Sequence, residues 1–163
     1  MTKPGDFAMS NLIEEVDVTP VTLSLQLEKS FIQHRLQDDE SIYITEDCFY
    51  PFWIKVLNNR GFVGLSTHTL FRKKTTQFDR LEFCNRINYQ YFMLTAYMSN
   101  DDKLKFDHVL SHRDGILEST FIRGCREFSR TIEIAIRDLD PENLVVLRPG
   151  HSEEEDVEND GSQ

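Results

Sequence analysis

Apolar residues recur every three to four positions in three segments of the chain, which predicts amphipathic helices there. The first helix is predicted over residues 19–37, because Thr19 can cap a helix and Pro20 fits its first turn. Its apolar residues form two stripes, so we expect this helix to pack on more than one side. The second helix is predicted over residues 76–89.

The third helix has the strongest helical period in the chain and follows Asp114 and Gly115. Asp140 and Pro141 are expected to end it, since proline cannot continue a helix. Its polar side carries both Glu and Arg, so the opposite side is predicted to cover the core. The core positions lie within an arc of about 100°: Leu117, Phe121, Cys125, Phe128, Ile132, Ala135, Ile136 and Leu139.

A period of two replaces the helical period between the first and second helices, and this alternation predicts strands. Three strands are expected near residues 42–45, 52–57 and 63–71, with a tight turn at residues 58–61, where Asn and Gly tolerate positive φ. A second hairpin is predicted over residues 92–110, with a polar turn at its centre.

The predicted order of elements is α-β-β-β-α-β-β-α, which defines an α+β fold. Strands joined by short turns are antiparallel, so we expect an antiparallel sheet of about five strands with the helices on one face. The short apolar run from Leu144 to Leu147 either adds an edge strand or covers the core. A chain of 163 residues suits one domain, placed at residues 19–150 between an N-terminal arm (1–18) and a C-terminal tail (151–163).

Negative charge is concentrated at the C-terminus. The chain has 28 Asp and Glu against 18 Lys and Arg, a net charge of −10, and residues 151–163 contribute six of the carboxylates. A polar segment of this kind cannot bury enough surface to fold, so we predict a disordered acidic tail. The acidic balance argues against general binding to nucleic acid or to an anionic membrane. Without a long apolar run or a secretion signal, a cytoplasmic location is expected.

The sequence lacks the common motifs for catalysis and cofactor binding. It has no glycine-rich nucleotide loop and no Gly-x-Ser-x-Gly elbow. His108 and His112 have the spacing of zinc ligands on a helix, but they lie on a predicted strand and its exit, about 13 Å apart. Cys48, Cys84 and Cys125 form no Cys-x-x-Cys pair. We therefore predict no cofactor, no metal ion and no enzymatic activity.

Two surface features leave alternatives open. Arg72, Lys73, Lys74 and Arg80 form a basic cluster at the start of the second helix, which is either a phosphate contact or a solvated face. A set of aromatic residues falls in a turn or in the strand register opposite to the core, and marks either a protein contact or a face covered by an arm or helix. The members of this set are Tyr43, Tyr50, Trp53 and Phe62.

One further pattern resembles a known family. Four parts of the chain resemble the YbjN-like family, which is assigned to bacterial sensory transduction regulators. They are FCNRIN at residues 83–88, FMLTAYM at 92–98, Gly115 before the final helix and the strand residues 52–54. The resemblance covers about residues 20–140. It implies the fold of type III secretion chaperones, which dimerise and hold a non-globular segment of a partner along their surface.

We therefore expect a non-enzymatic interaction module, chaperone-like or regulatory, that forms a homodimer and binds an extended or helical segment of another protein. Trp53, Phe83 and Ile87 are the candidate contact residues. An alternative is a small-ligand sensor with a pocket between the sheet and the final helix. An enzyme ranks third, because it needs convergent polar groups with perturbed pKa values.

Overall fold

The computed structural model describes residues 11–46 and 50–146. Three α-helices and eight strands are numbered here along the chain. The helices are α1 (Pro20–Lys29), α2 (Gln77–Gln90) and α3 (Glu118–Leu139). The strands are β1 (Leu12–Ile13), β2 (His34–Leu36), β3 (Ile42–Ile44), β4 (Trp53–Leu57), β5 (Phe62–Leu70), β6 (Thr95–Met98), β7 (Lys103–Ser111) and β8 (Ile116–Leu117).

Six strands form one antiparallel sheet in the order β2-β3-β4-β5-β7-β6. This confirms the predicted α+β fold, and β2 joins the five predicted strands at one edge. The longest pairing is between β5 and β7, from Phe62 opposite Ser111 to Leu70 opposite Lys103. β1 and β8 pair with each other outside this sheet. The central β5–β7 ladder decides which side chains face the helices.

The first helix ends at Lys29, about two turns earlier than predicted, and the helix prediction was wrong beyond this residue. Phe31 adopts a left-handed conformation with φ of 58°. Its N–H donates to the carbonyl of Glu28, and the N–H of Ile32 donates to the carbonyl of Leu27. These bonds form a Schellman motif, which ends a helix and usually has glycine at the left-handed position. Phenylalanine at that position hid the helix end from sequence reasoning.

All three helices bury apolar side chains against the same face of the sheet. Phe52 from the sheet side meets Phe128 of α3 edge to face, with ring centroids 5.3 Å apart. α3 lies close to β7 because Gly124 has no side chain: a Cβ there would be 2.8 Å from Cδ1 of Leu110. The largest fully buried side chains are Tyr50, Phe52, Phe83, Phe106, Phe121 and Phe128.

Both ends of the described chain pack on the domain. Ile13 and Val18 of the predicted N-terminal arm are buried, and β1 holds this part of the arm against β8. At the other end, Val145 is buried and forms a bridge with Phe71 at the end of β5. The short apolar run therefore covers the core and adds an isolated bridge beside the end of β5 instead of an edge strand. The predicted disordered tail, residues 151–163, lies outside the described residues.

Replacing Phe128 with alanine is expected to lower the free energy of unfolding by about 3–5 kcal/mol, because the change removes a fully buried ring. Val16→Ala is the control, since this side chain is 87% exposed and lies outside the three α-helices. Surface substitutions of that kind usually change stability by less than about 0.5 kcal/mol. Urea denaturation followed by circular dichroism measures the free energy of unfolding of both variants. An equal decrease in that free energy for the two variants would contradict the packing of α3.

Candidate partner-binding surfaces

The face of the sheet turned away from the helices is named the open face. Side chains alternate between the two faces of a strand, so the neighbours of core residues point to it. A shallow groove with a volume of about 340 Å³ runs along its centre. The residues that point to the open face include Arg35, Tyr43, Trp53, Lys55, Phe62, Gly64, Ser66, His68, Tyr97, Lys103, Lys105, Asp107 and Val109.

Aromatic rings stack across the centre of the open face. Trp53 lies between Tyr43, with ring centroids 4.8 Å apart, and His68, at 5.5 Å with ring planes 12° apart. Tyr50 belongs to the same aromatic set in the sequence but is fully buried. Its N–H donates to Oγ of Ser129 on α3 at 2.6 Å. Tyr50 therefore belongs to the core, whereas Tyr43, Trp53 and Phe62 are half-buried on the open face, where a partner can reach them.

Burial and nearby charges set the pKa values of the ionisable groups in the groove. Burial lowers the pKa of His68, and the charges of Lys103 and Lys105 lower it further. Tyr97 donates a hydrogen bond to Oδ2 of Asp107 at 2.8 Å. Burial, and then the bond to Asp107 and its charge, raise the pKa of Tyr97 to about 12. At neutral pH a neutral imidazole and a neutral phenol therefore lie beside the lysine ammonium groups.

The three contact candidates from the sequence have different positions in the structure. Trp53 is half-buried on the open face, whereas Phe83 and Ile87 have no exposed surface. Both project from α2 into the core, where Phe83 meets Phe71 edge to face. A side chain without exposed surface cannot touch a partner while the chain keeps this fold. Partner contacts on α2 must therefore come from its outward side.

The outward side of α2 carries an apolar stripe. Phe78, Leu81 and Tyr89 are 72%, 49% and 82% exposed, and at 100° per residue they lie on one side of the helix. Phe92, just after α2, is also almost fully exposed. Exposed apolar clusters of this kind mark contact surfaces on soluble domains. The helical period of the sequence groups Phe78 and Leu81 with the buried Cys84 and Ile87, so it did not separate this exposed stripe from the buried face.

At one edge of the sheet, a side chain covers part of the outward backbone. At β6, Nδ2 of Asn88 donates to the carbonyl of Ala96 at 2.9 Å, and the N–H of Ala96 donates to Oδ1 of Asn88 at 2.7 Å. The asparagine from α2 thus satisfies both outward backbone groups of Ala96. Covering an edge in this way prevents another strand from pairing there.

The opposite edge, at β2, has outward backbone groups. The N–H of Thr45 donates to the carbonyl of Gln33, and in an antiparallel pair the bonding residues alternate with residues that point away. His34 and Leu36 therefore direct their N–H and C=O groups outward. β2 is the last strand of the sheet, and no described strand pairs with these groups. An extended segment of another chain has room to pair there.

Exposed apolar side chains border the edge of β2. Phe31 is 92% exposed, and its left-handed conformation costs a non-glycine residue about 1–2 kcal/mol. Oγ of Ser24 on α1 lies 2.6 Å from Nε2 of His34, which joins α1 to β2. Leu25 and Leu36 are themselves exposed. Sequence reasoning placed Phe31 inside a helical stripe and missed this position.

The basic cluster at the start of α2 is partly engaged within the chain. Nη1 of Arg80 lies 3.6 Å from Oδ1 of Asp102, and Nη2 of Arg72 donates to Oδ1 of Asn143 at 3.4 Å. The two lysines between them are exposed. These local contacts favour a solvated face over a dedicated phosphate site.

The two described cysteines, Cys84 and Cys125, have buried thiols. Burial raises the pKa of Cys84 to about 11 and also raises the pKa of Cys125, so both thiols stay protonated at neutral pH. Residues 11–46 and 50–146 contain no group of three or more His, Cys, Asp and Glu placed to hold a metal ion. Among the described helices, none has the length and apolar composition needed to cross a bilayer.

Within residues 11–46 and 50–146, the sheet has helices on one face only and an edge that no described strand pairs, which defines an α+β domain. The chain belongs to the YbjN family, described as "Putative bacterial sensory transduction regulator", whose sequence model matches residues 19–141. This confirms the family resemblance found in the sequence. No curated protein is similar in sequence at a significant level.

Solved structures of similar fold agree with this assignment. The crystal structure of YbjN from E. coli, described as a putative transcription regulator, superposes with a TM-score of 0.64 at 17% identity, over 77% of this chain and 94% of that chain. A chain of the HopA1-SchA chaperone–effector complex has a TM-score of 0.51 at 10% identity, over 66% of this chain and 84% of that chain. The expected chaperone-like fold is thereby confirmed.

Replacing Asn88 with alanine is expected to lower the free energy of unfolding by about 1–2 kcal/mol, because both of its bonds to Ala96 are lost. The variant should also self-associate more readily, since the β6 edge becomes free to pair. Asn85→Ala is the control: this exposed residue lies one turn earlier on α2 and shares the change in helix propensity. Thermal unfolding measures the stability of the two variants, and light scattering measures their self-association. If both properties are the same in the two variants, the role of Asn88 is refuted.

Proposed function

We propose that this chain is a non-enzymatic interaction module of the bacterial cytoplasm, which forms a homodimer and binds an extended segment of another protein at the edge of β2. The observation that carries the proposal is Phe31, an exposed aromatic side chain held in a left-handed conformation beside unpaired strand groups. Backbone strain of this kind persists at functional sites. The similar fold within a chaperone–effector complex supports a role in holding a protein segment.

The bound segment adds one strand to the sheet. Its backbone pairs with the outward N–H and C=O groups of His34 and Leu36, which gives affinity that does not depend on its sequence. Specificity comes from every second side chain of the segment, because those side chains pack on Leu25, Phe31 and Leu36. We therefore expect a partner segment with apolar residues at alternate positions.

Phe31→Gly is expected to stabilise the chain and to weaken partner binding. Glycine adopts the left-handed conformation without steric cost, so the free energy of unfolding should rise by about 1 kcal/mol. The same change removes an exposed ring from the binding edge. Urea denaturation measures the stability, and affinity capture from an extract of the source organism, quantified by mass spectrometry, measures the binding.

Phe92→Ala is the matched control for this experiment, because it removes an equally exposed ring far along the chain, after α2. It should capture the same proteins as the wild type. Leu36→Pro tests the strand pairing itself, since it deletes an outward N–H and leaves the pairing with β3 in place. If Phe31→Gly and Leu36→Pro both retain every protein bound by the wild type, binding at β2 is refuted.

The homodimer is proposed to form through the outward stripe of α2. Gel filtration coupled to light scattering should show a dimer at micromolar concentration for the wild type and a monomer for the double variant Phe78→Ser, Tyr89→Ser, because the change removes the two most exposed apolar side chains of α2. Val16→Ser alters a residue of similar exposure outside α2 and should leave the dimer intact. A wild type that is monomeric at micromolar concentration would refute the dimer proposal.

The alternative function is a small-ligand sensor, and the observation that favours it is the groove beside Trp53 on the open face. This groove lies on the side of the sheet opposite to α3, so it is not the pocket expected between sheet and final helix. A thermal-shift screen with nucleotides and metabolites separates the two functions, because a specific ligand raises the melting temperature by mass action.

A further inference from the structure

The open face is a cationic surface on an acidic protein. Lys55 and Lys103 pair with carboxylates at its rim, whereas Lys105 has no ion pair among the described residues. The cations of the face outnumber its anions although the whole chain has a net charge of −10. The cations are Arg35, Lys55, Lys103 and Lys105, and the anions are Asp107 on the face and Asp39 and Asp101 at its rim.

The last described residues run alongside the end of β5, in the plane of the sheet. The N–H of Val146 donates to the carbonyl of Leu70 at 2.9 Å, and Val145 lies opposite Phe71 in an antiparallel bridge. The backbone therefore runs along β5 in the direction of His68. Because His68 is two residues before Leu70, its position on the open face is about 7 Å further along the strand.

The length of the acidic segment matches the length of the groove. Residues 153–160 begin seven positions after Val146 (153 − 146) and end fourteen positions after it (160 − 146). Extended chain of those lengths spans about 23 Å and about 46 Å. From Leu70 to Gly64, the open face extends about 20 Å along β5. The carboxylates of the segment are thus within reach of Lys105.

We propose that residues 153–160 dock across the open face of their own chain, where their carboxylates pair with Lys105 and Lys55 and their backbone covers Trp53. A tethered segment has a high effective concentration at this face, which favours it over acidic segments of other molecules. The net negative charge of the chain disfavours nucleic acid as the occupant. The tail is then an internal occupant that an anionic partner must displace, on a surface separate from the β2 edge.

Trp53 is the only tryptophan of the chain, so its fluorescence reports on the groove directly. In the full chain, neutralising the tail should remove the protection of Trp53 from acrylamide and shift its emission to longer wavelength. The wild type should lose the same protection in 1 M salt, where the screening length is only about 3 Å. The substitutions are Glu153→Gln, Glu154→Gln, Glu155→Gln, Asp156→Asn, Glu158→Gln and Asp160→Asn.

Two controls separate docking from a general effect of charge. The triple variant Glu82→Gln, Glu127→Gln, Glu142→Gln neutralises exposed carboxylates away from the open face and should leave Trp53 protected. Lys105→Gln should reproduce the loss of protection. A carbodiimide, which joins a carboxylate and an amine in direct contact, should link residues 153–160 to Lys105 or Lys55 within one chain.

Three results would overturn the proposal. The first is equal protection of Trp53 in the wild type and in the tail-neutralised variant. The second is carbodiimide linkage of the tail between two chains, which assigns the face to a second copy. The third is quenching of Trp53 by single-stranded oligonucleotide to the same extent in both proteins, because a face occupied by the tail would bind the oligonucleotide more weakly in the wild type.

Discussion

The antiparallel pairing of β5 with β7 is the constraint on which the rest of the structure depends. Side chains alternate with a period of two, so a slip of one residue would turn Val63, Leu65 and Phe106 from the core to solvent. The close approach of Gly124 to Leu110 on β7 ties α3 to the same register. This ladder therefore also decides which aromatic and cationic side chains meet on the open face.

The two edges of the sheet differ in how far side chains cover their outward backbone groups. An unpaired edge invites aggregation, so natural sheets cover or shorten their edges. Asn88 covers β6, while β2 is only short and is bordered by exposed apolar groups. A strained Phe31 at that border is a cost that glycine would remove. Protection at one edge and exposure at the other fit a domain that accepts a single additional strand.

Periodicity in the sequence predicted the fold class, the central strands and the covering face of α3, because burial imposes a period that apolar residues follow. It could not predict features that depend on single residues with several possible conformations. Phe31 ends α1 through its backbone conformation, and phenylalanine carries no signal for that conformation. Phe83 and Ile87 were predicted as contact residues but are buried, because a pattern does not tell whether an apolar side chain covers the chain's own sheet or a partner.

The positions of the three proposed surfaces keep them independent of one another. β2 and β6 are the two ends of a six-stranded sheet, and five spacings of about 4.8 Å place them roughly 24 Å apart. α2 packs beside β6, since Asn88 bonds to Ala96. A dimer formed through the outward side of α2 therefore leaves both β2 edges at its outer ends. The open face lies between these surfaces, so its occupant need not compete with either the dimer or a strand bound at β2.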